Sequence, residues 1–322
     1  MLINPILYKR IEEKKKHLDR LRPLSKTALE KIKEQFAVEM TYHSNAIEGN
    51  TLTLRETQLI IEEGLTVAGK SLKEHLEVIN HKEAIDFLEG LVKKRERITE
   101  TLIRQLHFLI LTKIDDREAG KYRSSRVRIT GTDYLPPPPF EVPVLMRDFI
   151  KWLKQNERKL NSIELSALAH FKFVHIHPFV DGNGRVGRLL MNFILMQKGY
   201  PPVIILKADR KKYYRTLDQA HKGNLAPFAD FVAGSAERSL NLYLQAFERK
   251  KQQKKARKKE YISLAEAAEG TPYSQEYLSL LARRGEIEAF KLKRNWLTTR
   301  EAIEKYIKSQ KRKRQRKNQK NH

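Results

Sequence analysis

Apolar residues recur every three or four positions along most of this 322-residue chain, the period of amphipathic helices. In the first third, Leu29, Ile32, Phe36, Val38 and Ala46-Ile47 fall at helical spacing, and Gly49 ends the pattern. Residues 1–47 therefore read as helical, with Leu24-Ser25-Lys26 leading into the second half. Further helices are predicted over 54–63, 72–95 and 99–114. Tyr122 to Pro143 breaks the period. Val127, Ile129 and their polar neighbours alternate two by two, Gly131-Thr132-Asp133 is turn chemistry, and Tyr134-Leu135 begins a return. A small β-hairpin is predicted there, and Pro136 to Pro139 force an extended exit from it. The helical period resumes over 144–154, 162–173, 184–198, 209–221 and 226–247.

From Tyr261 the pattern is shorter. Ser263 with Glu266, and Thr298 with Glu301, have capping-box spacing. Between them lie a short helix, a turn at Gly270-Thr271-Pro272, a helix over 274–284, and a hairpin in which EAFKL turns at Lys293-Arg294-Asn295 and returns as WLT. The fold class is mainly α, a helical core with a small β-hairpin and a small C-terminal domain.

Composition adds constraints. Hydrophobic residues make up 40% of the chain, which supports a sizeable core and excludes disorder throughout. Lys and Arg number 64 against 39 Asp and Glu, a net charge of +25, which suggests a polyanionic partner. Residues 248–322 hold 23 of those cations against 9 acidic groups. Within them 248–260 reads as a basic linker, for which a helical form is open, and 309–322 as a disordered basic tail. The absence of cysteine excludes disulfides, cysteine zinc sites and a thiol nucleophile, and a reducing cytoplasm is the expected location. No apolar run is long enough to span a membrane, and the N-terminus lacks the pattern of a secretory signal, so no membrane partner is expected.

The stretch His177-Pro178-Phe179-Val180-Asp181-Gly182-Asn183-Gly184-Arg185-Val186-Gly187-Arg188 carries the densest chemistry. Glycines on either side of Asn183 let the backbone aim several N–H groups one way, and the helix start that follows favours anions. Arg185 and Arg188 lie three apart, with forks suited to phosphate oxygens. Asp181 beside a polyphosphate calls for a cation, and Mg²⁺ (or Mn²⁺) held by one carboxylate plus phosphate oxygens meets that need. His177 is the side chain here that titrates near neutrality, as a general base must. The residues describe a nucleotide-phosphate site with a metal and a base. A dinucleotide-binding reading of Gly182-x-Gly184-x-x-Gly187 fails upstream, where the required strand would contain Pro178 and Asp181 would face an unscreened pyrophosphate. His170, His175 and His177 lack the carboxylates or cysteines that would complete a zinc site.

The stretch resembles the Fic (Fido) signature HPFxDGNGRxGR at every fixed position, and the resemblance extends over about 25–247. It implies a mostly helical fold that transfers AMP from ATP to a protein hydroxyl. His177 would take the hydroxyl proton, Phe179 would anchor the loop, and Asp181 would hold the metal. Gly182, Asn183 and Gly184 would form the anion nest, Arg185 would bind phosphate oxygens and Arg188 the γ-phosphate, with Val186 and Gly187 in the same ATP-binding stretch. Tyr213-Tyr214 stand where the family has aromatics lining the adenine pocket, and His221 where some relatives place an asparagine. The hairpin resembles the family's flap, with Ile129, Thr130, Gly131 and Thr132 near its tip meeting the target. Ser44-x-x-x-Glu48-Gly49 resembles the family's inhibitory motif, in which Glu48 would pair with Arg188 and Ser44 would fix the helix. Relatives are often dimers, so a homodimer is expected.

Residues 261–308 resemble an excisionase-like winged helix-turn-helix, which implies DNA as a partner, with Arg283, Arg284, Lys291, Lys293 and Arg294 on phosphates. The resulting organisation is an N-terminal helical region (1–100) with the inhibitory motif, a catalytic core (101–247), the linker, the winged domain and the tail. The expected function is a self-inhibited, self-modifying protein adenylyltransferase. Open alternatives are AMP removal, transfer of another phosphate-containing group, or a DNA-binding regulator that uses its nucleotide site as a sensor.

Overall fold

Caps set most helix boundaries in the computed structural model, which describes residues 1–22, 26–258, 261–292 and 295–318. Asn4 opens α1 (Pro5–Arg20) by accepting from the Ile6 and Leu7 N–H groups, with Pro5 at the first helical position. α2 (Lys26–Ile47) follows, and its predicted lead-in at Leu24-Ser25 lies outside the described residues. Thr53 and Ser71 form reciprocal capping boxes with Glu56 and Glu74 at the starts of α3 (Leu54–Glu63) and α4 (Leu72–Lys94). Thr99 caps α5 (Glu100–Leu111). The rest of the first part is α6 (Val142–Asn156), α7 (Ser162–Ile176), α8 (Asn183–Gln197), α9 (Arg210–His221) and α10 (Ala226–Lys258). The chain divides into two units, Met1–Phe247 and Glu248–His322.

In the first unit α7 and α8 are apolar nearly all round and form its centre. Phe173, Ile163, Ala167 and Ala169 of α7 and Val186, Leu190, Phe193 and Leu195 of α8 are completely buried. α2, α4, α5 and α6 surround the pair. Gly187 sits where the two helices approach: a Cβ there would lie 3.0 Å from Val174 Cγ1 and 3.3 Å from His170 Nε2.

The hairpin predicted over Val127–Tyr134 differs from expectation. A turn forms at Thr130-Gly131, yet the arms make no strand ladder. Pro136 to Pro139 bring no N–H to the return arm, and the Tyr134 N–H is taken by Thr132 Oγ1 at 3.2 Å. The flap is thus an extended loop rather than a β-hairpin. Of the two basic runs, the linker takes the helical form left open for it, and the tail differs from expectation. α10 continues to Lys258 through most of the segment read as a linker. A last helix, α13 (Arg300–Asn318), continues through most of the segment read as a disordered tail. Neither run contains the Gly or Pro that would stop a helix, and Lys, Arg and Gln are good helix formers. Residues 259–260 and 319–322 are outside the described set.

The second unit holds β1 (Tyr261–Ser263), α11 (Leu264–Glu269), α12 (Gln275–Arg283), β2 (Ala289–Leu292), β3 (Asn295–Thr299) and α13. The sheet is antiparallel in the order β1-β3-β2, with Ile262 opposite Thr298 and Phe290 opposite Leu297. Lys293-Arg294, inside the predicted turn, lie outside the described residues. Ile262, Leu264, Leu278, Leu281, Ile287 and Ile303 form its core. β1, three residues long, escaped the periodicity analysis.

No helix among the described residues is long and apolar enough to cross a membrane.

Gly187→Ala should cost about 1–3 kcal/mol of unfolding free energy, because a methyl group would force α7 and α8 apart. Urea denaturation of the wild type and the variant measures it.

Candidate active site

The stretch from His177 to Arg188 joins α7 to α8 and is tied to its surroundings at every turn. Phe179 is fully buried and stacks face to face on His107 of α5, with ring centroids 3.6 Å apart. The Asn183 side chain closes the loop on itself, accepting from Phe179 N–H at 3.0 Å and donating to Phe179 O at 2.8 Å. His107 accepts the Gly120 N–H on Nδ1 at 2.9 Å, so its Nε2–H donates to the Asp181 carbonyl at 3.0 Å. Burial pushes its pKa down to about 4 and keeps the ring neutral for both bonds. Gly182 has φ 76°, and a Cβ there would meet the His107 ring at 3.3 Å. Glycine is therefore required twice over at this position.

His177 is the residue after α7, in left-handed conformation at φ 50°. Its Nδ1 lies 3.3 Å from the Val174 carbonyl. That contact makes Nδ1 the protonated nitrogen and leaves Nε2 free to accept a proton. Burial is the largest influence on the ring and pushes its pKa down to about 4. The Val174 bond opposes that shift and the charge of Arg123 adds to it. A neutral imidazole at physiological pH is the state a base requires.

Asp181 has 56% of its side chain exposed. Burial of its remainder works against ionisation, but Arg185 at 3.2 Å and the Gly182 N–H at 2.6 Å hold it below the usual carboxylate range. Arg185 is buried, pairs also with Glu77 at 3.5 Å, and has no hydrogen-bond partner for Nε among the described residues. No cluster of three or more metal-binding side chains occurs among the described residues. Asp181 alone fits a hard cation whose other ligands are phosphate oxygens and water.

Arg188, 4% exposed, is the most heavily bonded cation of the site. It donates from Nε to Ser44 Oγ at 2.9 Å and from Nη2 to Ser44 O at 2.8 Å, and Nη2 also meets Glu48 Oε1 at 2.8 Å. Burial opposes its charge, but Glu48, with Tyr213 and Tyr214, raises its pKa on balance. Glu48 lies against Gly184, where any Cβ would collide with the carboxylate. Its Oε2 accepts from Tyr214 OH at 3.4 Å.

A cavity of about 710 Å³ collects most of the residues singled out from the sequence. His177, Asp181, Gly182, Asn183, Gly184, Tyr213, Tyr214, His221 and Glu48 line it, with Ile129, Thr130, Gly131 and Thr132 on the flap side. Arg185, Val186, Gly187, Arg188 and Ser44 stand behind it. Tyr213 is 1% exposed, with its OH 3.0 Å from His170 Nε2, so it has no open face for a base to stack on. Tyr214 is the more accessible of the two. His221 stacks under Tyr134 at 3.7 Å and shares a 3.0 Å contact with His175.

Sequence reading missed Arg123, His107 and Glu77, and gave Tyr134 and His175 other roles. Each acts across dozens of residues, so only the fold reveals its part in the site.

The Fic/DOC family model matches residues 97–195. The protein adenylyltransferase Fic of Drosophila melanogaster is 43% identical over 223 residues, 69% of this chain and 45% of that protein. The chain thus spans about half the length of the curated relatives it matches. A Fic domain containing signaling protein from Bacteroides thetaiotaomicron superposes with TM-score 0.70 at 31% identity, covering 74% of this chain and 98% of that one. A fragment of a C. elegans Fic protein gives TM-score 0.69 at 36% identity, covering 76% and 74%. With its helical core, its intact loop and this match to nearly the whole of a solved relative, the chain belongs to the Fic/DOC family.

Proposed function

We propose that this protein is an adenylyltransferase that moves AMP from ATP to a hydroxyl of a target protein, and that its own Glu48 restrains it. The observation that carries the reading is the arrangement around one cavity: a neutral His177 at its wall, an anion-ready turn at the start of α8, and Glu48 on Arg188 at 2.8 Å. ATP enters with its phosphates over Gly182-Asn183-Gly184. The target hydroxyl attacks the α-phosphorus, the bond to the β-phosphate oxygen breaks, and pyrophosphate leaves. His177 Nε2 takes the hydroxyl proton, while Nδ1–H stays on Val174 O. Asp181 would hold Mg²⁺ or Mn²⁺, which supplies charge neutralisation for the polyphosphate. Tyr214 supports the adenine, and the loop tip at Ile129–Thr132 receives the target.

Arg188 cannot serve a carboxylate and a γ-phosphate in the same place. With Glu48 seated, ATP binds with its phosphates turned, and the α-phosphorus loses the in-line geometry that displacement needs. Release of Glu48 restores it.

The second unit supports a DNA-binding role. Its order of strand, helix, helix, two-stranded hairpin and helix is compatible with a winged helix-turn-helix, and basic runs flank it.

Glu48→Gly should raise self-modification by about tenfold or more, since a lost orientation forfeits several kcal/mol of barrier reduction. Label from α-labelled ATP, at matched protein and Mg²⁺, measures it. Equal labelling with unchanged ATP affinity removes Glu48 from the mechanism.

Adding His177→Ala to Glu48→Gly should lower transfer by roughly 10²- to 10⁴-fold while ATP still binds. Parental transfer by this double variant would mean the base is misassigned.

A chain ending at residue 247 should retain ATP binding and self-modification and lose most DNA affinity. That affinity in the full chain should fall steeply with salt as counterions are released. Mobility-shift titrations at two salt concentrations check both statements.

A further inference from the structure

The carbonyls at the end of α7 have an unusual set of partners. A helix leaves its last four carbonyls without intrahelical donors. Here Phe173 O accepts from the His177 N–H at 3.0 Å and Val174 O faces His177 Nδ1 at 3.3 Å. His175 O accepts from Tyr134 OH at 2.8 Å, and Ile176 O from Arg123 Nη2 at 3.5 Å. Catalytic histidine and flap loop together cap this helix.

Arg123 does most of the joining. Its guanidinium is 2% exposed and, among the described residues, each of its hydrogen bonds goes to a main-chain carbonyl. Nε donates to His177 O at 2.7 Å. Nη1 reaches Ser125 O at 3.1 Å, and Nη2 reaches Pro137 O at 2.5 Å on the far side of the loop tip. Its own N–H donates to Pro178 O at 3.0 Å. One side chain thus holds both roots of the flap loop and both ends of the His177 residue. A cation at a helix C-terminus is also well placed for the local dipole. The left-handed backbone of His177 is costly for a residue with a Cβ and persists only where neighbours fix it.

We propose that Arg123 is a positioning residue that locks the His177 imidazole and the roots of the 124–138 loop into one rigid piece, so that base and target hydroxyl meet at a fixed spacing. This rests on the adenylyltransferase reading. The charged and titratable groups facing the His177 ring are Arg123 before the loop tip, Glu48 after α2, Asp181 beside α8 and His221 on α9. Arg123 is the cation among them, and it favours the neutral ring.

The test uses Arg123→Met and Arg123→Lys, each in the full-length Glu48→Gly protein. Arg123→Met should lose at least about tenfold in transfer at saturating ATP, with ATP affinity within about twofold of the parent. The acid limb of its pH–rate profile should move upward, because a positive charge near the base has gone. Arg123→Lys keeps a charge and donors; it should recover part of the rate and leave the acid limb in place. A folded Arg123→Met protein with the parental rate overturns the proposal. So does an equal loss in both variants with an unmoved acid limb, which would mark Arg123 as a helix cap only. If Arg123→Met does not fold, Arg123→Lys decides: a slower rate at unchanged ATP affinity supports the proposal, and the parental rate and profile overturn it. If the Glu48→Gly parent transfers no label, the functional reading has failed, and NMR titration of the His177 ring then decides the positioning claim. An upward shift in Arg123→Met supports it, and an unchanged titration overturns it; if Arg123→Met does not fold, the neutral Arg123→Gln takes its place.

Discussion

A guanidinium buried as deeply as Arg188 must be compensated by hydrogen-bond acceptors, and an anion beside it compensates its charge most fully. Removing such a charge from water costs several kcal/mol unless hydrogen bonds and an opposite charge offset the loss. Ser44 supplies two acceptors and Tyr213 a weaker one at 3.5 Å, but all three are neutral. Glu48 is the partner that carries charge, with 31% of its side chain exposed at the cavity. On the proposed reading, another anion arriving through that cavity would take its place. Arg188 would then stay paired whether or not nucleotide is bound, and its pairing with Glu48 would restrain the reaction.

Release of Glu48 need not move α2. Asn45 Nδ2 donates to Glu77 O at 3.1 Å, Asn50 Nδ2 to Glu77 Oε2 at 2.8 Å, and Arg210 Nε to Ile47 O at 2.7 Å. These bonds fasten the end of the helix and the loop after it independently of the carboxylate. In the proposed mechanism a side-chain rotation at Glu48 would open the site while Ser44 continues to hold Arg188. On the other wall, Arg123, Tyr134 and His107 fix the loop that carries His177 and Asp181.

Helix periodicity placed nearly every helix within a few residues, and the loop motif pointed to the family, because both are local properties of sequence. The Glu48–Arg188 contact, 140 positions apart, was legible only because both partners lie in recognisable motifs. Arg123 and His107 lie in none, and nothing in their neighbourhood marks them. The flap was misread as a hairpin because alternation registers side-chain faces and ignores the N–H groups that prolines lack. Tyr213 was read as a stacking surface for want of any sequence signal that separates a buried tyrosine from an accessible one. The last basic run was read as a disordered tail from charge alone, where helix propensity and the absence of breakers extend α13 to Asn318.

The central claim is that one carboxylate and one phosphate compete for Arg188. Calorimetric titration of ATP and ADP, each with Mg²⁺, into the wild type and into Glu48→Gly tests it most directly. The account predicts that the γ-phosphate adds little affinity in the wild type, where Arg188 is occupied, and that ATP binds clearly more tightly than ADP once Glu48 is removed. An ATP-to-ADP affinity ratio that is the same in both proteins would contradict it.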